Sequence, residues 1–142
     1  MGQLLAGPFT SSRLADFGAE VIKVETPGKG DPMREWGHHR FKGRPVWWPI
    51  LARNKKSVTA NLREERGQDL IRQLVTESDV LVENFKPGTL EKWGLGPDDL
   101  HEINPATAHV QDLADFAESD LPTSPNHTFR TTCNNAFDRF SS

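Results

Sequence analysis

Apolar positions along the chain recur with a helical period in some blocks and gather into short β-branched runs in others, with Gly and Pro between the blocks. The first block predicts a helix with Pro8 in its first turn, running through Phe9, Leu14 and Phe17, with Gly18 at its C′ position. Glu20 to Glu25 (EVIKVE) follows after two residues and, with Val21 and Val24 among charges, reads as a strand. Thr26 to Pro49 is punctuated by Pro27, Gly28, Gly30, Pro32, Gly37, Gly43 and Pro45 and reads as one long irregular loop, a feature more often functional than idle. Ser57 to Leu62 predicts a second strand. Glu64 to Thr76 predicts a helix whose Leu70, Ile71, Leu74 and Val75 form one stripe, and DVLVE (79–83) a third strand. Thr89 to Trp93 and Pro97 to Ile103 predict two short helical pieces, the second opened by Pro97, Asp98 and Asp99, which suit a helix N-terminus.

Strands separated by crossover helices make this an α/β chain with a partial Rossmann-like parallel sheet. The pattern opens on a helix, so the sheet would lack its first strand, and MGQLLAGP reads as the end of that strand. Beyond residue 104 the texture changes. Residues 105–142 contain no Gly, Lys, Ile, Trp or Met and show no sustained apolar period, so residues 1–105 are expected to fold and residues 106–142 to form an irregular, disordered tail.

Composition narrows the function. With 35% hydrophobic residues and a mean hydropathy of -0.61, no window supplies a membrane span. A net charge of -3 argues against a general nucleic-acid binder. The single cysteine, Cys133, cannot make an internal disulfide, and no secretory leader is visible, so a cytoplasmic setting is expected.

In an open parallel sheet, ligands gather beyond the carboxyl ends of strands, here the loops after Glu25, Leu62 and Glu83. Asn84-Phe85-Lys86-Pro87-Gly88 offers an amide, an aromatic face and an ammonium, although a tight strand-to-helix connection explains the same residues. Arg53-Asn54-Lys55-Lys56 suits phosphate or a solvated strand flank. The helix start at Gly7-Pro8 suits an anion or a developing oxyanion. Trp36, Trp47 and Trp48 are candidates for adenine stacking or for the packing core of the long loop. His38-His39 has no metal-ligand spacing around it, and the dinucleotide, P-loop and Gly-x-Ser-x-Gly motifs are absent, so no metal site is assigned.

LADFGAEVIKVE followed by GD, then ARNKKSVTANL, SDVLVENFKPGTLEKWGLG and DDLHEINP, resembles in order and spacing the N-terminal stretch of the class III coenzyme A transferases over residues 2–105. That family includes formyl-CoA transferase, carnitine CoA-transferase and α-methylacyl-CoA racemase. The resemblance implies a Rossmann-like large domain in a longer chain, two chains interlocked as a homodimer, acyl-CoA and carboxylic acid substrates, and coenzyme A as substrate rather than a permanently bound cofactor. It implies an aspartate nucleophile that passes through an aspartyl-CoA thioester. The family's coenzyme-binding positions fall on Gln3, Thr26, Ala60, Asn84, Phe85 and Lys92, with Leu5 to Gly7 beside the thioester. Thr26 and Lys92 stand where formyl-CoA transferase has arginine.

The nucleophile would lie well beyond Ile103, so Asp112, Asp115, Asp120 and Asp138 cannot take its role by position and no catalytic residue is assigned. The expectation is a truncated or frame-shifted member of the family, inactive in isolation. A coenzyme A-binding or inert fragment and a racemase-type lineage are the alternatives.

Overall fold

The computed structural model describes residues 1–111. Helix α1 (Ala6–Asp16) ends as predicted: Gly18 takes φ +98°, its N–H donates to the Ala15 carbonyl at 3.1 Å, and the Ala19 N–H donates to the Leu14 carbonyl at 3.1 Å. These two bonds close the last turn, and only a residue free of a Cβ penalty takes that conformation cheaply. Strand β1 (Val21–Glu25) follows directly.

The stretch expected to be one irregular loop carries structure of its own. Pro32–Glu35 is a 3-10 turn capped by the Asp31 carboxylate, which accepts from the Met33 N–H at 2.9 Å. Strands β2 (Arg40–Phe41) and β3 (Arg44–Pro45) form a hairpin whose turn residues Lys42 and Gly43 both have positive φ, 49° and 79°, as a two-residue mirror-image turn requires. Helix α2 (Trp47–Ala52) accommodates Pro49 because it falls in the first turn, where a missing N–H costs nothing. Gly and Pro masked these elements in the sequence.

Strand β4 (Lys55–Thr59) begins two residues before the predicted start and pairs in parallel with β1, Val21 opposite Lys55 through Glu25 opposite Thr59. Helix α3 (Glu65–Thr76) buries Ile71 and Val75 fully and Leu70 and Leu74 in part, the predicted stripe. Its Gly67 is fixed by proximity, since a Cβ there would stand 2.1 Å from the Asn61 carbonyl oxygen. Strand β5 (Val80–Glu83) leads to a 3-10 turn at Glu91–Trp93 and helix α4 (Pro97–Ile103), where the Gly96 N–H donates to the Asp99 carboxylate at 2.9 Å. Asn104 then donates its side-chain amide to the Val75 and Ser78 carbonyls at 3.0 and 3.2 Å, tying the end of α4 to the end of α3.

Strand β6 (Ala108–Gln111) pairs in parallel with β5, Val80 opposite Ala108 through Glu83 opposite Gln111. This corrects the sequence reading, which expected no regular element after residue 105; a four-residue strand, Ala108–Gln111, has too few positions to show a period. The expectation for 112–142 lies outside the described residues.

The α/β class and parallel pairing are as expected, but the strands form two separate parallel pairs, β1 with β4 and β5 with β6, rather than one sheet. Val24, Ala60, Leu62, Ile71, Val75, Leu81, Leu90, Leu95 and Leu100 make the core between them and α3 and α4. Fully burying each large aliphatic side chain contributes about 2 kcal/mol. Among the described residues no helix is long and apolar enough to cross a membrane.

Candidate functional site

Two loop systems stand at the carboxyl ends of β1 and β5. At β1, strand alternation places Val21, Lys23 and Glu25 on one face, and that charged face is turned inward: Lys23 is 6% and Glu25 4% exposed. The Glu25 carboxylate takes both Arg34 nitrogens, Nε at 2.8 Å and Nη2 at 2.9 Å, together with the Asp31 N–H and the Ser57 hydroxyl, each at 2.9 Å. Burial alone would raise the Glu25 pKa, but the Arg34, Asp31 and Ser57 hydrogen bonds outweigh it and hold the carboxyl at about 2. Gly30, at φ +69°, lets the loop fold this closely, because a Cβ there would come within 2.8 Å of both Glu25 and Arg34 atoms.

Asp31, 1% exposed, is the second anchor. One carboxylate oxygen takes Lys23 Nζ at 2.5 Å, and the other takes the N–H groups of Leu4 at 3.1 Å and Met33 at 2.9 Å. Lys23 also donates to the Gly2 carbonyl at 3.1 Å, so the N-terminal segment is fastened to β1 through this pair. The Arg34 guanidinium lies 3.9 Å from the centre of the Trp48 ring. Trp48 is therefore packing under the loop, while Trp36 and Trp47 remain half exposed.

The β5 loop is held by reciprocal bonds. Asn84 accepts from the Gln3 N–H at 2.8 Å and donates to the Gln3 carbonyl at 2.9 Å. Glu83, 1% exposed, takes the Phe85 N–H at 2.6 Å and faces His109 Nε2 at 3.4 Å. Phe85 meets Trp93 edge to face with ring centres 5.8 Å apart, which sets the turn bearing Lys92 against this loop.

The structure thus joins Gln3, Asn84 and Phe85 in one cluster, with Lys92 on the turn beside it. Thr26 and Ala60 form a second, linked through the Ala60 N–H on the Glu25 carbonyl at 3.0 Å. Ala60 packs its side chain into the core, and the Asn84 amide is engaged by Gln3, so each would meet a ligand mainly through backbone. Thr26 and Lys92 are exposed. The Arg53–Lys56 run does not make one basic patch. Arg53 pairs with Asp16 at 2.5 Å and Lys56 with Glu20 at 2.8 Å, while Lys55 donates to the Pro8 carbonyl at 2.5 Å. Burial, reinforced by nearby Lys23, pushes the Lys55 pKa down to about 8.

Sequence reasoning missed the buried Lys23–Asp31 pair, the Glu25–Arg34 clamp and Trp93. The signal for the first two was the alternation of EVIKVE, which puts Lys23 and Glu25 on one face. The structure, unlike the sequence, shows that face to be buried along with the Val24 face, which joins the apolar core.

A profile of CoA-transferase family III matches residues 1–111. Over 111 residues the chain is 66% identical to the succinyl-CoA–D-citramalate CoA-transferase of Chloroflexus aurantiacus, which covers 78% of this chain and 28% of that protein. It is 49% identical over 102 residues to the beta subunit of the same organism's succinyl-CoA–L-malate CoA-transferase, covering 72% of this chain and 25% of the relative. A crystal structure of a CAIB/BAIF family protein from Brucella suis superposes with a TM-score of 0.72 at 42% identity, over 78% of this chain and 30% of that one. The chain spans less than a third of the length of these relatives.

Proposed function

Because this chain belongs to CoA-transferase family III, we propose that it serves the transfer of coenzyme A between carboxylic acids, with residues 1–111 supplying part of the coenzyme-binding surface. The observation that carries this reading is the cluster of Gln3, Asn84 and Phe85 at the carboxyl end of β5, fixed by hydrogen bonds in a chain 66% identical to a succinyl-CoA-dependent transferase. Phe85 offers an apolar edge, Lys92 a cation for a phosphate, and the Thr26–Ala60 pair backbone groups at the carboxyl end of β1. By analogy with the named relatives, the donor is succinyl-CoA and the acceptor a small dicarboxylic acid.

The chemistry proposed is covalent. A carboxylate attacks the thioester carbonyl and releases the coenzyme A thiolate, leaving a mixed anhydride. The thiolate re-attacks the enzyme's carbonyl, the donor acid departs, and the acceptor carboxylate completes the exchange. Among the described residues Asp16, Asp31, Asp69 and Asp99 are engaged in ion pairs or backbone bonds, and none is offered as that nucleophile. A homodimer in a reducing, cytoplasmic setting completes the reading.

Calorimetric titration of the full chain with coenzyme A tests it. Binding is expected, and Phe85→Ala is expected to weaken it about tenfold, a loss of about 1.4 kcal/mol. Wild-type and Phe85→Ala chains that bind equally, or no binding at millimolar coenzyme, would overturn the assignment.

A further inference from the structure

Thr26 and Ala60 lie where β1 and β4 end, and the main chain that carries them is closed by short-range bonds. The Glu25 carbonyl takes the Ala60 N–H at 3.0 Å, and the Thr26 carbonyl takes the Gly30 N–H at 2.9 Å. The buried Glu25 carboxylate anchors this turn from below. Ser57 reaches it from β4 and the Asp31 N–H from the far end of the loop, each at 2.9 Å. Arg34 closes it from outside, with Nε on one oxygen at 2.8 Å and Nη2 on the other at 2.9 Å.

The Arg34 side chain is 40% exposed, yet it is not a loose surface cation. Met33 beside it is fully buried and pins the 3-10 turn from which Arg34 projects. Trp48 of α2 meets the guanidinium face, 3.9 Å from the ring centre. Packing has therefore already ordered the side chain, and ordering entropy is what makes most surface ion pairs worth little. The Lys56–Glu20 pair, with side chains 70% and 66% exposed, shows the ordinary case.

We propose that Arg34 is a positioning residue for the coenzyme: without touching it, the guanidinium locks the Glu25 carboxylate and so holds the Thr26 and Ala60 main chain in the arrangement that receives it. The inference rests on the coenzyme reading above and adds to it the residue that sets the β1 end of the site. A displaced Glu25 releases Thr26, the next residue in the chain, and Ala60, through its N–H on the Glu25 carbonyl, together. Binding energy then has to order the turn, and affinity falls although no contact to the ligand is removed. A lysine at this position keeps the charge but presents neither the two parallel donors nor a planar face for Trp48.

Titration calorimetry of coenzyme A into the full chain tests this, at about 20 and about 300 mM salt and at a temperature where every variant is folded, with amide exchange read on the same samples. Arg34→Gln is expected to weaken binding about tenfold at both salt concentrations and to speed exchange at Gly30 and Ala60, while Ile71 and Val75 of α3 keep theirs. Arg34→Lys should recover only part of the affinity. Equal binding by wild type and Arg34→Gln would overturn the proposal alone. A loss that fades at the higher salt would overturn it by making Arg34 a direct phosphate contact, and exchange that speeds equally in α3 would overturn it by making Arg34 a general stabiliser of the fold. Absence of binding in the wild-type chain would defeat the coenzyme reading and this inference with it.

Discussion

The β1–β4 side and the β5–β6 side are built from similar elements yet are held by different forces. On the first, a Gly- and Pro-rich loop leaves β1 and is pinned by buried charge: Lys23 on Asp31, and Arg34 on Glu25. On the second, Ile71, Val75, Leu81, Leu90, Leu95 and Leu100 pack as an apolar core, with short connections between elements. A long loop has too few periodic apolar residues to repay its ordering entropy by burial, so directional bonds to a strand end take that role. The side nearest the Thr26 position is therefore geometrically specified and sensitive to charge. The side bearing Phe85 and Lys92 rests on apolar burial, with the Gln3–Asn84 bonds and the Phe85 N–H on Glu83 fixing its loop.

The sharpest break of this contrast is Asp31→Ala. It leaves the Lys23 ammonium buried without its carboxylate and removes acceptors from the Leu4 and Met33 N–H groups, at a cost of about 4 kcal/mol. Urea denaturation should show the loss, and adding Lys23→Met should recover most of it; failure to recover would assign the effect to the lost backbone bonds. On the other side Ile71→Ala should cost about 3 kcal/mol by opening a cavity in the core. That loss should be the same at pH 3 and pH 7, because no titrating group is involved.

Acid should separate the two sides again. The Glu25 carboxyl lies at about 2 in the folded protein against an ordinary 4.5. Its contribution is present above the ordinary value and is lost as pH falls from there through the folded value. About 2 kcal/mol is at stake, allowing for solvent at the 40% exposed Arg34. Denaturation midpoints across pH 5 to pH 2 should fall steeply for the wild type and flatten in Arg34→Gln. Parallel slopes would locate the acid sensitivity elsewhere.

Where the chain relied on period, the sequence was legible. The α3 stripe, the Gly18 cap and the Asp98–Asp99 start of α4 are local consequences of residue type at fixed spacing, and each stands where the pattern put it. The hairpin turn at Lys42-Gly43 and helix α2 were not, because Gly and Pro read as breakers until position within a turn or a first helical turn is known. Of the candidate site, the Asn84-Phe85 turn was legible as chemistry, while its partners Gln3 and Trp93 needed the fold to bring them in from 81 and 8 residues away. Nothing local marked Lys23 and Glu25 as buried, because the alternation of a five-residue strand does not tell that both of its faces are covered.

The smallest expected effect bears on the ligand rather than on stability. Lys92 is exposed on the turn that Phe85 and Trp93 hold against the β5 loop, so removing its ammonium should leave folding unchanged. If that ammonium meets a phosphate of coenzyme A, Lys92→Ala should weaken binding by about 1 kcal/mol, and the loss should shrink as salt rises from 20 to 300 mM, about the range over which such exposed pairs are screened. Lys92→Arg offers the complementary arm. A guanidinium presents two parallel donors where an ammonium presents a point charge, so the coenzyme should be held about as tightly or a few-fold more tightly. Titration calorimetry at two salt concentrations reads both variants. Salt-independent weakening in Lys92→Ala would mean that the side chain acts by packing, leaving the Phe85 side of the site without its phosphate partner.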